Sequence, residues 1–165
     1  MRLAHIVIVG VALLSGCASQ SKSPTAGMPV VSGEEVTHGG VRYVDMKVGE
    51  GAPVTPNACV YAHYTGWLAN GTRFDTSREP APGEPVAFRI GAGQVIRGWD
   101  VGFEGMRVGG RRRIYVPWRQ GYGETGSPPV IPARADLVFD VEVHGALDAA
   151  GGARPCASWS SVRSR

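Results

Sequence analysis

The chain has 165 residues and 17.4 kDa, 43% hydrophobic and 19% charged, which fits one globular domain with appendages and leaves little room for two. Its 24 glycines and 12 prolines are too many for a helical bundle and too few for a low-complexity chain, so a turn-rich β protein is expected. The net charge of +3 sits at the ends, in Arg2 and in Arg154, Arg163 and Arg165 against Asp148; between residues 17 and 146, 13 basic side chains balance 13 acidic ones, which argues against a nucleic-acid partner.

In chain order, Arg2 and the apolar residues 6–14 have the form of an export signal, far short of the ~20 residues a membrane-spanning helix needs. Leu14-Ser15-Gly16-Cys17 follows directly and resembles the lipobox of bacterial lipoproteins. That resemblance implies removal of residues 1–16 as a signal peptide and acylation of Cys17, which ties the protein to a membrane because two or more acyl chains anchor stably where one does not. Ala18, where an inner-membrane retention signal has aspartate, implies the outer membrane, facing the periplasm. Residues 17–36, rich in Ser, Pro, Gly and Ala, read as a flexible tether. It holds no heptad helix to serve as a dimerisation stalk, and a monomer is expected. The domain proper is placed at 37–146, and residues 147–165, without periodicity, read as a disordered tail. With Cys17 assigned to lipid, Cys59 and Cys156 remain. Export permits them to pair, but Cys59 reads as a small buried strand residue and Cys156 lies in the tail, so two free thiols are the favoured expectation.

Residues 41–48 alternate loosely as a strand, and residues 58–68 put Val60, Ala62 and Tyr64 on one face with Cys59, Tyr61 and His63 on the other. Asn70-Gly71 predicts a reversal through a type I′ turn, a better account of these residues than the glycosylation sequon Asn70-Gly71-Thr72. Further strands are expected at 86–90, 112–116 and 136–143, the last with Leu137, Phe139, Val141 and Val143 on one face. Trp99 and Phe103, one helical turn apart, with Met106 beyond, predict a short helix over 97–106. The pattern as a whole predicts an α+β domain, a sheet wrapped on one helix.

Three tempting motifs are set aside. Residues 121–126 match GxGxxG, but a dinucleotide fingerprint opens a helix, and Ser127-Pro128-Pro129 follows here, so a loop is expected. Arg111, Arg112 and Arg113 alternate faces on a strand and read as a solvated surface rather than a phosphate patch. His38, His63 and His144 lie far apart in sequence without ligand-spaced companions, so no metal site is expected.

The remaining motifs are His63-Tyr64-Thr65-Gly66, Phe74-Asp75-Thr76-Ser77, Gln94-Val95-Ile96-Arg97-Gly98-Trp99, Gly121-Tyr122-Gly123, Ile131-Pro132 and Asp136-Leu137-Val138-Phe139-Asp140. In this order, over about residues 39–145, they resemble the successive motifs of FKBP-type peptidyl-prolyl cis-trans isomerases. The resemblance implies a strongly twisted antiparallel half-barrel sheet of five or six strands around a short helix, with an apolar pocket between them. It implies proline-containing polypeptide substrates and macrolide inhibitors. The chemistry is a rotation: an amide resists it by about 18–20 kcal/mol, and no proton or electron need move, so no cofactor and no metal is expected.

By the same resemblance, Trp99 is the pocket floor, and Tyr64, Phe74, Val86, Phe88, Val95, Val130, Ile131 and Phe139 surround the proline. Tyr122 and the Ile96 backbone amide donate to the substrate, and Asp75 orients the Tyr64 hydroxyl. Val86 and Gln120 stand where the family usually has aromatics, which implies a shallower pocket on that side, and Arg78 is the candidate basic partner of Asp75. Two functions fit this pattern: a working isomerase, which Tyr122 and Asp75 favour, and a non-catalytic module that uses the pocket only to bind.

Overall fold

The computed structural model describes residues 27–81, 83–148 and 155–163; the expected signal segment and the lipidation site at Cys17 lie outside them. Seven strands form one antiparallel sheet: β1 (Glu35–His38), β2 (Val41–Lys47), β3 (Cys59–Leu68), β4 (Arg73–Thr76), β5 (Val86–Arg89), β6 (Arg111–Val116) and β7 (Leu137–Leu147). Their order is β1-β2-β6-β7-β3-β4, and β5 pairs the first half of β3 while β4 pairs its second half. The short helix α1 (Arg97–Gly102) lies between β5 and β6 in sequence. This is the expected sheet around one helix, with β1 added at the edge.

Alternation along the strands divides the molecule. Val60, Ala62 and Tyr64 of β3 and Leu137, Phe139, Val141 and Val143 of β7 join Phe88, Trp99, Phe103 and Ile114 in the main core. Two glycines let α1 lie directly on β6: a Cβ at Gly98 would stand 2.3 Å from Val116 Cγ1, and one at Gly102 would stand 2.7 Å from Ile114 Cγ2. The helix ends sooner than the apolar spacing predicts. Gly105 turns the chain at φ 74° and still delivers Met106 to the core. At the β3–β4 reversal Gly71 takes positive φ (90°), while Asn70 accepts the Thr72 N–H through its side chain at 2.9 Å, so the chain turns there without the type I′ geometry.

Four expectations are corrected. Arg112 and Arg113 are not a solvated face but are 3% and 1% exposed. Arg113 holds Asp140 in two hydrogen bonds of 2.6 and 2.7 Å, and Arg112 holds Asp45 at 2.7 and 3.0 Å while lying over the Tyr43 ring. The fork-shaped guanidinium satisfies its remaining donors on the Pro29, Gly102 and Glu104 carbonyls, which makes its burial tolerable. The expected tether is anchored on the sheet at Met28, which is buried with Trp67 and Val138, and its last residues enter β1.

The expected disordered tail is, over residues 155–163, docked on the outer face. Its helix α2 (Trp159–Arg163) sets Trp159 against Tyr61, ring centroids 5.4 Å apart, and the Tyr61 hydroxyl donates to the Ala157 carbonyl at 2.9 Å. Cys59 and Cys156, expected free, form a disulfide. The same segment covers Tyr61, which is fully buried.

Candidate active site

Between β3, β4, β5 and the start of α1 lies an open cavity of about 630 Å³. Trp99 forms its base. The indole is 6% exposed and wedged among Tyr64, Phe88, Phe103 and Phe139, with centroid separations of 5.0, 5.3, 5.4 and 5.3 Å. Edge-to-face and tilted contacts of this kind fix a ring's orientation beyond what area burial alone does. Phe74 approaches Phe139 at 5.7 Å, and both crowd Gly66, where a Cβ would stand 2.7 Å from Phe74 Cζ. The glycine of the His-Tyr-Thr-Gly motif thus opens the space that the aromatic wall occupies.

The polar groups are few. The Tyr64 hydroxyl donates to Asp75 Oδ2 in a short hydrogen bond, and Asp75 Oδ1 accepts the Thr76 N–H at 2.8 Å, which fixes the carboxylate from the backbone side. Burial, then the hydrogen bond and charge of Asp75, push the Tyr64 hydroxyl above its usual range; burial and then Asp75 do the same to Tyr122. Both phenols are therefore proton donors at neutral pH.

Tyr122 is 40% exposed at the rim. Its loop is held by Gly123 N–H to the Trp118 carbonyl (2.9 Å), Arg134 N–H to the Gly123 carbonyl (3.0 Å) and Trp118 N–H to Asp136 (2.8 Å). Ile96, which lines the cavity, is the N-cap residue of α1, so its N–H lies outside the helical ladder. The preceding loop is tied down by the Arg89 N–H to Gln94 and the Gly91 N–H to Asp100, at 2.9 and 2.8 Å.

Tyr64, Phe74, Asp75, Val86, Phe88, Val95, Ile96, Trp99, Tyr122 and Phe139, all expected from the sequence, converge on this one cavity. Val130 and Ile131 do not line it. Ile131 is 5% exposed within the core, paired with Ser127 by two 2.9 Å backbone bonds, and that tight bridge turns Val130 out to solvent at 52% exposure. Arg78 does not serve Asp75 but pairs with Glu142 at 2.6 Å. Gln120 reaches away to the Gly39 carbonyl at 2.9 Å. Ala87, Gln94, Pro155 and Cys156 line the cavity and were not expected there; the last two come from the supposed tail, and no periodic signal marks them.

The loop reading of residues 121–126 agrees with the turns found there. His63 and His144, distant in sequence, meet edge to face at 5.0 Å because β3 and β7 are neighbours, yet among the described residues no cluster of three or more His, Cys, Asp or Glu could hold a metal ion.

Residues 50–144 match the family model described as FKBP-type peptidyl-prolyl cis-trans isomerase. The chain belongs to that family. It is 44% identical over 105 residues to the FK506-binding protein of Neisseria meningitidis serogroup B, covering 64% of this chain and 94% of that one. It is 50% identical over 96 residues to the peptidyl-prolyl cis-trans isomerase FPR2 of Saccharomyces cerevisiae, covering 58% of this chain and 70% of that protein. Among solved structures, AtFKBP13 superposes with a TM-score of 0.61 at 35% identity, over 68% of this chain and 98% of that one. FkpA from Escherichia coli gives 0.63 at 33% identity, over 70% of this chain and 52% of that one.

Proposed function

We propose that this FKBP-type protein is a working isomerase of Xaa-Pro bonds in exported polypeptides, tied to the cell envelope through lipid on Cys17 and facing the periplasm from the outer membrane. The observation that carries the catalytic part is the convergence of an immobilised indole, an aromatic wall and protonated phenols on one cavity. The Cys59–Cys156 disulfide supports the export part, since such bonds persist in oxidising compartments.

The mechanism follows from the amide. A planar imide is more charge-separated than a twisted one, so an apolar cavity disfavours the ground state relative to the transition state. The proline ring sits over Trp99, while the Tyr122 hydroxyl and the Ile96 N–H donate to substrate carbonyls. Asp75 accepts the Tyr64 hydroxyl and so keeps the phenol in one orientation. Each 1.36 kcal/mol of differential stabilisation is about tenfold in rate.

The test is protease-coupled isomerisation of an Xaa-Pro peptide. The wild type accelerates it, Trp99→Ala loses at least about tenfold in kcat/KM, and Tyr122→Phe loses about three- to tenfold, the worth of one hydrogen bond. FK506 competes. A wild type that binds FK506 but leaves the peptide at its uncatalysed rate identifies the non-catalytic binding module instead.

A further inference from the structure

The proline cavity is not built by the sheet and helix alone. Pro155 and Cys156, near the far end of the chain, line it together with Val86 and Ala87 of β5. Three contacts fix that segment: the disulfide from Cys156 to Cys59 on β3, the Tyr61 hydroxyl on the Ala157 carbonyl, and the Trp159 ring on Tyr61. A bare Gly145 accommodates the Trp159 ring, since a Cβ there would stand 3.0 Å from Trp159 Cζ3. A segment pinned by a covalent bond and an aromatic contact on the buried Tyr61 is a wall rather than a passing loop. It does not fill the cavity, because about 630 Å³ remains with the segment in place.

Resting on the isomerase reading above, we propose that the disulfide-held Pro155-Cys156 strap is a specificity-determining part of the substrate site, forming on the β5 side of the cavity an apolar wall for the side chain that flanks the substrate proline. The side chains the strap offers are a pyrrolidine ring and a half-buried cystine, neither of which can satisfy a charge or a hydrogen-bonding group. The strap therefore favours aliphatic and aromatic neighbours of proline and disfavours charged ones. Pro155 is exposed, so a substitution there changes the wall without opening the core.

The experiment measures kcat/KM on the full oxidised chain with two peptide series, carrying Ala, Leu or Lys immediately before or immediately after the proline. Pro155→Glu keeps the disulfide and puts a carboxylate in the wall. It raises the Lys-to-Leu ratio of kcat/KM at least about twofold in one series, and the rise shrinks in high salt, which a folding defect does not produce. Cys156→Ser releases the strap and lowers the Leu-to-Ala ratio at least about twofold in the same series. If the serine variant fails to fold, the charge swap at 155 decides alone. An active wild type whose Lys-to-Leu ratio is moved less than about twofold by Pro155→Glu in both series overturns this inference and leaves the isomerase reading standing. A wild type without isomerase activity overturns both.

Discussion

Asp75 and His63 show how differently two polar residues of adjoining strands are used. Asp75 lies on β4 at the cavity rim, receives the Tyr64 hydroxyl and keeps it a donor. His63 lies on the outer face, bonded to the Ser77 hydroxyl at 3.0 Å, where burial, then the charges of Arg78 and His144, hold its pKa below 6.5 against the opposing pull of Glu142. A histidine whose folded pKa is depressed binds its proton better when unfolded. Its contribution to stability is therefore whole above about pH 6.5 and is lost as pH falls from there toward the lowered value. Urea midpoints of the wild type should decline over that interval, and those of His63→Gln should decline less; equal slopes would remove His63 from the account.

At this scale the sequence was most informative where a residue type has one use. Tyr64, Asp75, Trp99 and Tyr122 stand in one cavity as their motifs implied. It was least informative for Val130 and Ile131, whose apolar side chains fit a pocket wall or a core equally well. Only the Ser127–Ile131 bridge decides which way they point.

The strands of β3 and β7 were legible because each buries one face, and their alternation survives as alternation of core membership. β1 was invisible: Glu35-Val36-Thr37-His38 is exposed throughout, so no pattern separates it from a tether. The arginines of β6 were misread because a strand pattern does not say what lies across the ladder. Register does: Arg112 stands opposite Asp45 and Arg113 opposite Asp140. Removing one partner of such a buried pair leaves an uncompensated charge, so Asp140→Asn should lower unfolding free energy by about 3–5 kcal/mol. The more exposed Arg78–Glu142 pair, at 48% and 30% side-chain exposure, should lose less than about 1 kcal/mol in Glu142→Gln. Denaturant titration of the two variants checks the contrast, and equal losses would contradict it.

The whole molecule is closed by a link that composition concealed. A stretch rich in Ala, Ser and Arg carries no periodicity, so it reads as disorder. What orders residues 155–163 is a contact 97 positions away in sequence, which no local pattern encodes. Joining sites so far apart restricts the unfolded chain, and Cys156→Ser should cost about 2–4 kcal/mol of stability, read as a lower denaturation midpoint; an unchanged midpoint would mean that the strap adds nothing to the fold. On the proposed reading, the fold as a whole serves a cavity whose chemistry is rotation without bond-making. That claim meets its most direct trial in kcat/KM for an Xaa-Pro peptide measured by exchange NMR in H₂O and in D₂O across neutral pH. The account predicts acceleration over the free peptide, a solvent isotope ratio near ~1 and a flat profile, since no proton moves in the transition state and both phenols stay protonated. A ratio of about 2 or more with a bell-shaped profile, or no acceleration at all, would contradict it.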